Sequence, residues 1–147
     1  MTILFVCTGN TCRSPMAEGL FHMLAASLGL DAEAASCGLI AMQGEPAAEN
    51  AIEAAAHLGA DISGHAARQI TEAMVAGAAH ILGMTRGHVD VLRLRFPDHA
   101  SRIDTLDNTD IADPFGGGSE IYADAAAQIH AATLRLVSRL ARESDHL

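Results

Sequence analysis

The stretch VCTGNTCRSP, Val6 to Pro15, gathers two cysteines, a glycine, an asparagine and an arginine within seven positions, Cys7 to Arg13. The run Ile3-Leu4-Phe5-Val6 that leads into it is short and apolar, as expected of a buried strand. Ser14-Pro15 reads as a helix start, with serine as N-cap and proline at the first helical position. Met16, Leu20, Met23 and Leu24 then recur at helical spacing, and Gly29 is a plausible stop. The stretch is thus a strand, a tight loop and a helix N-terminus in direct succession.

Five residues separate Cys7 from Arg13. A loop of that length closing into a helix can turn successive backbone N–H groups inward. With the helix dipole behind it, such a nest binds an anion the size of phosphate. Gly9 and Asn10 suit the turn because both tolerate positive φ. Thr8, Thr11, Cys12 and Ser14 complete the candidate cradle, and Arg13 can grip two oxygens of the anion. The same field favours a thiolate at Cys7, to which Ser14 can donate a hydrogen bond. A thiolate beneath a bound phosphate is an in-line nucleophile. A cysteine ending a strand is, alone, more often a small core residue, and C-x5-R alone is a weak signal. The specific feature is the conjunction of strand, C-x5-R-S, glycine and asparagine in the loop, and a helix-opening proline. Zinc is disfavoured, because Cys7 and Cys12 lack a second ligand pair at the right spacing. A dinucleotide site is disfavoured too, since G-x-G-x-x-G is absent. No metal and no cofactor are expected.

The 147 residues fit one domain, 1–147, with one sizeable core. Half of them are apolar, which argues against disorder. A net charge of −9 disfavours broad binding to nucleic acid or an anionic membrane. No signal peptide is apparent, and no stretch approaches the roughly 20 apolar residues of a membrane span. Three cysteines suit a reducing, cytoplasmic setting. The oligomeric state stays open, a monomer among the options.

Beyond the first helix, Ala32 to Ser36 is a weak second strand and Pro46 to Leu58 a helix closed by Gly59. His80-Ile81-Leu82 is a third strand. Val89, Leu92 and Phe96 give a helical face stopped by Pro97. Ile103 to Leu106 is a fourth strand, followed by a polar loop with Asp107, Asp110 and Asp113. Ile121, Ala125, Ile129, Ala132, Leu136 and Leu140 mark a long final helix. Strands alternating with helices imply an α/β fold: three layers, a four-stranded parallel sheet flanked by helices. Ligands in such folds sit beyond the carboxyl ends of the strands, where the Cys7 loop falls.

VCTGNTCRSPMAE, Val6 to Glu18, resembles the signature of the low-molecular-weight protein tyrosine phosphatase family. Its members carry this loop near the N-terminus and an Asp-Pro pair near the C-terminus, here Asp113-Pro114. The resemblance implies a phosphatase acting on phosphorylated proteins. Cys7 would attack phosphorus to form a cysteinyl-phosphate, Arg13 and the loop amides would hold the transition-state oxygens, and Asp113 would protonate the leaving group and then activate water. The bland reading of Asp113 is one solvated loop acid among three. Ser36, before Cys37-Gly38, and His65, in His65-Ala66-Ala67-Arg68, match family positions that hold the loop together with Asn10 and Ser14. The other seven histidines show no ligand spacing and are expected to be solvated or incidental.

Thr11 stands where many tyrosine-directed members carry isoleucine, and Phe115-Gly116 where they often carry tyrosines. The chain has no tryptophan and a single tyrosine, Tyr122. Thr11 together with Asp-Pro-Phe-Gly-Gly resembles the bacterial protein-arginine phosphatase branch. That makes Thr11 and Phe115 candidate specificity residues and phosphoarginine the expected substrate, with phosphotyrosine as the alternative. An arsenate reductase shares the fold and a C-x5-R loop but needs downstream cysteines, and none follows Cys37. A non-catalytic phosphate-binding module would not need Cys7, Arg13 and Asp113 together. Reversible oxidation through a Cys7–Cys12 disulfide is a further expectation, because the two thiols share one tight loop.

Overall fold

The computed structural model describes residues 1–145. Four parallel strands, β1 (Thr2–Cys7), β2 (Glu33–Gly38), β3 (His80–Gly83) and β4 (Ile103–Thr105), lie side by side in the order β2-β1-β3-β4. The helices are α1 (Arg13–Ser27), α2 (Glu49–His57), α3 (Glu72–Gly77), α4 (Arg86–Arg95) and α5 (Ser119–Ser144), with a 3-10 turn at Pro97–Arg102. The expected α/β architecture is the observed one. No helix among the described residues is long and apolar enough to cross a membrane.

Side chains alternate along β1, as the pleat requires. Ile3, Phe5 and Cys7 face a core shared with α1, α2 and α5, whereas Leu4 and Val6 face a second core under α3 and α4. Phe5 and Phe21 are fully buried and pack at tilted rings, 5.8 Å between centroids. Burying a side chain of that size contributes about 1.5–3 kcal/mol. Burial on both faces is why the run Ile3 to Val6 is continuously apolar. The chain leaves β1 toward β2 on one side and later fills β3 and β4 on the other. The carboxyl end of β1 is therefore the switch point of the sheet, and it carries the Cys7 loop.

Two local readings need correction, and one helix is not read from the sequence at all. Ser14 is not the N-cap of α1. The helix starts at Arg13 after Cys12, no side chain caps it, and Ser14 turns inward to Cys7 and Asn10. The helix expected from Pro46 starts at Glu49, because the chain before it is extended. Pro46 bridges Ala66, Ala67 N–H donates to Glu45 O (2.7 Å), and Ala48 N–H donates to Thr11 O (2.9 Å). This segment is spent clamping the first loop. The short helix α3, capped where Thr71 Oγ1 accepts from Met74 N–H (3.2 Å), has too few residues to show a period in sequence.

Candidate active site

The loop closes over its own side chains. Asn10 takes a left-handed conformation, φ 59°, which asparagine tolerates better than most residues. Its buried amide donates to Ser14 Oγ (2.8 Å) and Ser36 Oγ (3.0 Å), and its Oδ1 accepts from Arg68 N–H (2.9 Å). His65 Nε2 donates to Asn10 O (2.7 Å), and Ser36 Oγ donates to Glu18 Oε1 (2.6 Å). Ser14 Oγ already accepts from Asn10, so its own proton is free for Cys7 Sγ at 2.8 Å; the other acceptor in reach, Cys37 O, lies at 3.5 Å. Gly38 permits the close approach of β2, since a Cβ there would stand 2.6 Å from Thr8 O.

Cys7, Thr8, Gly9, Thr11, Cys12, Arg13, Asp113 and Phe115 line one cavity of about 230 Å³. Asn10, Ser14, Ser36 and His65 lie behind its wall. The Arg13 guanidinium is buried; it donates to Ile111 O (2.9 Å) and stands 3.7 Å from Asp113 Oδ2. Asp113 comes from the other side of the cavity, its side chain 55 % exposed, with Phe115 N–H donating to Oδ1 (3.1 Å). The turn that presents it closes with Gly117 N–H to Pro114 O (2.8 Å) and needs Gly116, φ 82°, at its third position. Thr11 lines the cavity, and its hydroxyl lies 3.7 Å from Cys12 Sγ.

Two residues that the sequence reading left out are built into this site. His88, set aside as incidental, is buried, and its Nε2 lies 2.9 Å from Thr8 Oγ1. Thr85 N–H donates to His88 Nδ1 (3.2 Å), which places the ring proton on Nε2 and makes Thr8 the acceptor. Burial, and then the charge of Arg13, push the imidazole down to about 4, so it is neutral at physiological pH. The available signal was Thr85-Arg86-Gly87-His88, a threonine three residues before a side chain able to close a capping box. Tyr122 is the second. Its hydroxyl lies 3.3 Å from Cys12 Sγ beneath the loop, and burial with that contact raises its pKa, so it keeps its proton. It does not line the cavity.

The three cysteines are free thiols in different surroundings. Cys37 points into the core under α3 and α4, where burial and then Cys7 push it up to about 12. It therefore stays protonated. A site with one nucleophile-bearing cradle, a buried guanidinium behind it and an exposed carboxyl opposite can transfer a phosphoryl group to sulfur and on to water.

Residues 2–146 match the model of the low molecular weight phosphotyrosine protein phosphatases. The chain is 37% identical over 147 residues to the protein-arginine-phosphatase of Geobacillus stearothermophilus, covering 96% of this chain and 97% of that one. It is 36% identical over 131 residues to a probable low molecular weight protein-tyrosine-phosphatase, EpsP, of Ralstonia nicotianae, covering 87% and 88%. The solved structure of a YwlE arginine phosphatase, a C7S mutant with a phosphorylated active site serine, superposes with a TM-score of 0.91 at 33% identity, covering 95% of both chains.

Proposed function

The chain belongs to the low molecular weight phosphotyrosine protein phosphatase family and is a cysteine-dependent phosphatase, and from that premise we propose that it removes phosphate from arginine side chains of proteins. The observation that carries the arginine reading is the wall of the cavity. Thr11 presents a hydroxyl there, while the one tyrosine of the chain is buried beneath the loop. A phenol ring would find one aromatic neighbour, the exposed Phe115. A guanidinium would find two acceptors, Thr11 Oγ1 and Asp113. The relative of Geobacillus stearothermophilus named for arginine supports the same choice.

In this reading Cys7 Sγ, with the Ser14 hydroxyl donating to it, attacks phosphorus in line. The S–P bond forms as the P–N bond to the guanidinium breaks. Asp113 gives its proton to the departing nitrogen, so the arginine leaves as its ordinary guanidinium cation. Arg13 and the inward amides of the loop hold the equatorial oxygens. Asp113, now a carboxylate, then removes a proton from water, which attacks phosphorus. The S–P bond breaks, phosphate leaves and the thiolate is restored. A phosphorylated serine in the relative's cysteine-to-serine mutant supports a covalent step at this position. The neutral His88 donates to Thr8 Oγ1 and leaves the Thr8 proton free to point at the cavity. Neutrality has a purpose here: a cation beside Arg13 would raise the cost of burying that guanidinium. Three free thiols support a reducing, cytoplasmic setting.

The deciding measurement is kcat/KM on matched peptides carrying phosphoarginine or phosphotyrosine. A preference for phosphoarginine is expected. A preference for phosphotyrosine would make the protein a tyrosine phosphatase of the same family.

A further inference from the structure

A second concavity is larger than the one holding Cys7. It is an open groove of about 1070 Å³ along the free edge of the sheet, with β4 as its floor and α4 and α5 as its walls. All nine cationic side chains of the sequence are arginines, and six of them line this groove. Arg86 and Arg93 lie one heptad apart on α4; Arg135, Arg139 and Arg142 share one face of α5; Arg102 enters from the 3-10 turn. Two aspartates, Asp104 and Asp107, also line it, which leaves three arginines against sixteen carboxylates elsewhere in the chain. The groove is a cationic strip on an otherwise anionic molecule.

Only part of that charge is neutralised locally. Arg135 pairs with Asp107 (3.1 Å) and Arg139 with Glu143 (3.8 Å). Arg93 donates to Ile103 O (2.7 Å) and Arg102 to Val75 O (3.1 Å), carbonyls that position a guanidinium without cancelling it. The guanidinium groups of Arg86 and Arg142 have no hydrogen-bond or ion-pair partner among the described residues. The sheet edge itself is closed to a pairing strand, because Arg93 occupies Ile103 O and Asp104 Oδ1 accepts Thr105 N–H (2.8 Å). Whatever binds there is recognised through side chains. The groove also reaches the loop that carries Asp113. Asp107 and Asn108 line it, and the backbone N–H of Arg86 holds Asp110 Oδ1 (2.8 Å).

We infer that this groove docks an acidic stretch of the protein substrate, apart in sequence from the phosphorylated residue. The inference rests on the protein-phosphatase reading. Charge complementarity selects the occupant. No phenylalanine, tyrosine or tryptophan lines the groove to stack a base; its one ring is the imidazole of His80. A nucleic acid carries a charge every ~1.7 Å and extends beyond any one site, so it would be driven onto the surrounding negative surface. A short acidic peptide segment ends where the groove does.

The test joins a phosphoarginine peptide, through neutral spacers of graded length, to a run of glutamates, and compares it with a glutamine twin. At low ionic strength kcat/KM for the glutamate peptide should exceed the twin by roughly tenfold, the low end of what electrostatic steering supplies. The advantage should shrink in high salt. The double variant Arg86→Gln/Arg142→Gln should abolish it while leaving the glutamine twin and para-nitrophenyl phosphate turned over as before. Equal rates for both peptides at every spacer length would overturn the inference, as would an advantage that survives the double variant. Competition by a single-stranded oligonucleotide stronger than that of the free glutamate peptide would also overturn it. If neither peptide nor para-nitrophenyl phosphate is turned over, the phosphatase reading fails instead. Fluorescence anisotropy of an unphosphorylated glutamate peptide, in wild type and double variant, then still decides the groove.

Discussion

The Cys7–Ser14 loop and the Asp107–Gly118 loop meet at Arg13, and they are held by opposite means. In the first, Asn10 and Ser14 are fully buried and their polar atoms are used within the network under the cavity. Residues from β2, from the 65–68 segment and from α1 all contribute to it. In the second, Asp113 and Phe115 are exposed, and the segment is pinned two residues earlier at the buried Ile111. Ile111 N–H donates to Met84 O (3.0 Å) and Ile111 O accepts from Arg13 (2.9 Å). The contrast fits the two duties proposed for these loops. Donors that stabilise a developing oxyanion act only if they are in place before the charge appears. A proton donor must meet the leaving group and later a water, so it needs an open approach.

That division predicts how variants should differ, beginning with the largest effect. Cys7→Ser should lose measurable turnover while phosphate or vanadate still binds, as titration calorimetry can show; near-normal turnover would remove Cys7 from the centre of the scheme. Asp113→Ala should lose roughly 10²–10⁴ in rate on phosphoarginine. The loss should shrink on para-nitrophenyl phosphate, whose leaving group departs without a proton. A uniform loss across leaving groups would erase the contrast between the loops. Thr11→Ile tests the cavity wall. A guanidinium N–H left unpaired costs roughly 1–3 kcal/mol, so phosphoarginine kcat/KM should fall roughly 5- to 150-fold while phosphotyrosine turnover is kept or rises. An equal change on both substrates would show that Thr11 is no filter.

Smaller effects sharpen the view from below the loop. His88→Leu and Thr8→Val should be non-additive in kcat/KM, with a coupling of about 0.5–3 kcal/mol as for residues in contact. Additive losses would mean that the His88–Thr8 bond does nothing for the reaction. His88 also gives stability a pH dependence. Its pKa is about 4 in the folded chain against an ordinary 6.5, so between those values the unfolded chain binds a proton that the folded chain does not. Its contribution is complete above pH 6.5 and is lost as pH falls toward 4. Urea unfolding midpoints should therefore decline more steeply over that window in wild type than in His88→Gln, and parallel declines would count against a buried neutral ring.

How much was legible in advance depended on sequence distance. The strand, loop and helix from Ile3 to Leu24 are contiguous, so apolar run, C-x5-R-S spacing and turn residues stand in one window. The alternation of strands and helices gave the parallel sheet for the same local reason. Asp113, a hundred residues from the loop, could be singled out from Asp107 and Asp110 only through resemblance, because nothing in its neighbours marks which acid faces Arg13. Local rules misplaced Ser14, since a serine before proline is a good N-cap unless a nearby thiol and amide compete for its hydroxyl. They also missed His88 and Tyr122, whose partners Thr8 and Cys12 lie 80 and 110 positions away.

The sequence by itself determined the chemistry that neighbours in the chain can make: a thiol, a ring of amides and a guanidinium on one turn. Tertiary structure decided which distant groups surround that turn. It set the acid across the cavity, the neutral imidazole and the phenol beneath the loop, and the six arginines along β4. The physical reason is that backbone propensity and periodicity act over a few residues, whereas burial, charge pairing and hydrogen bonding between segments exist only once the sheet has brought their ends together.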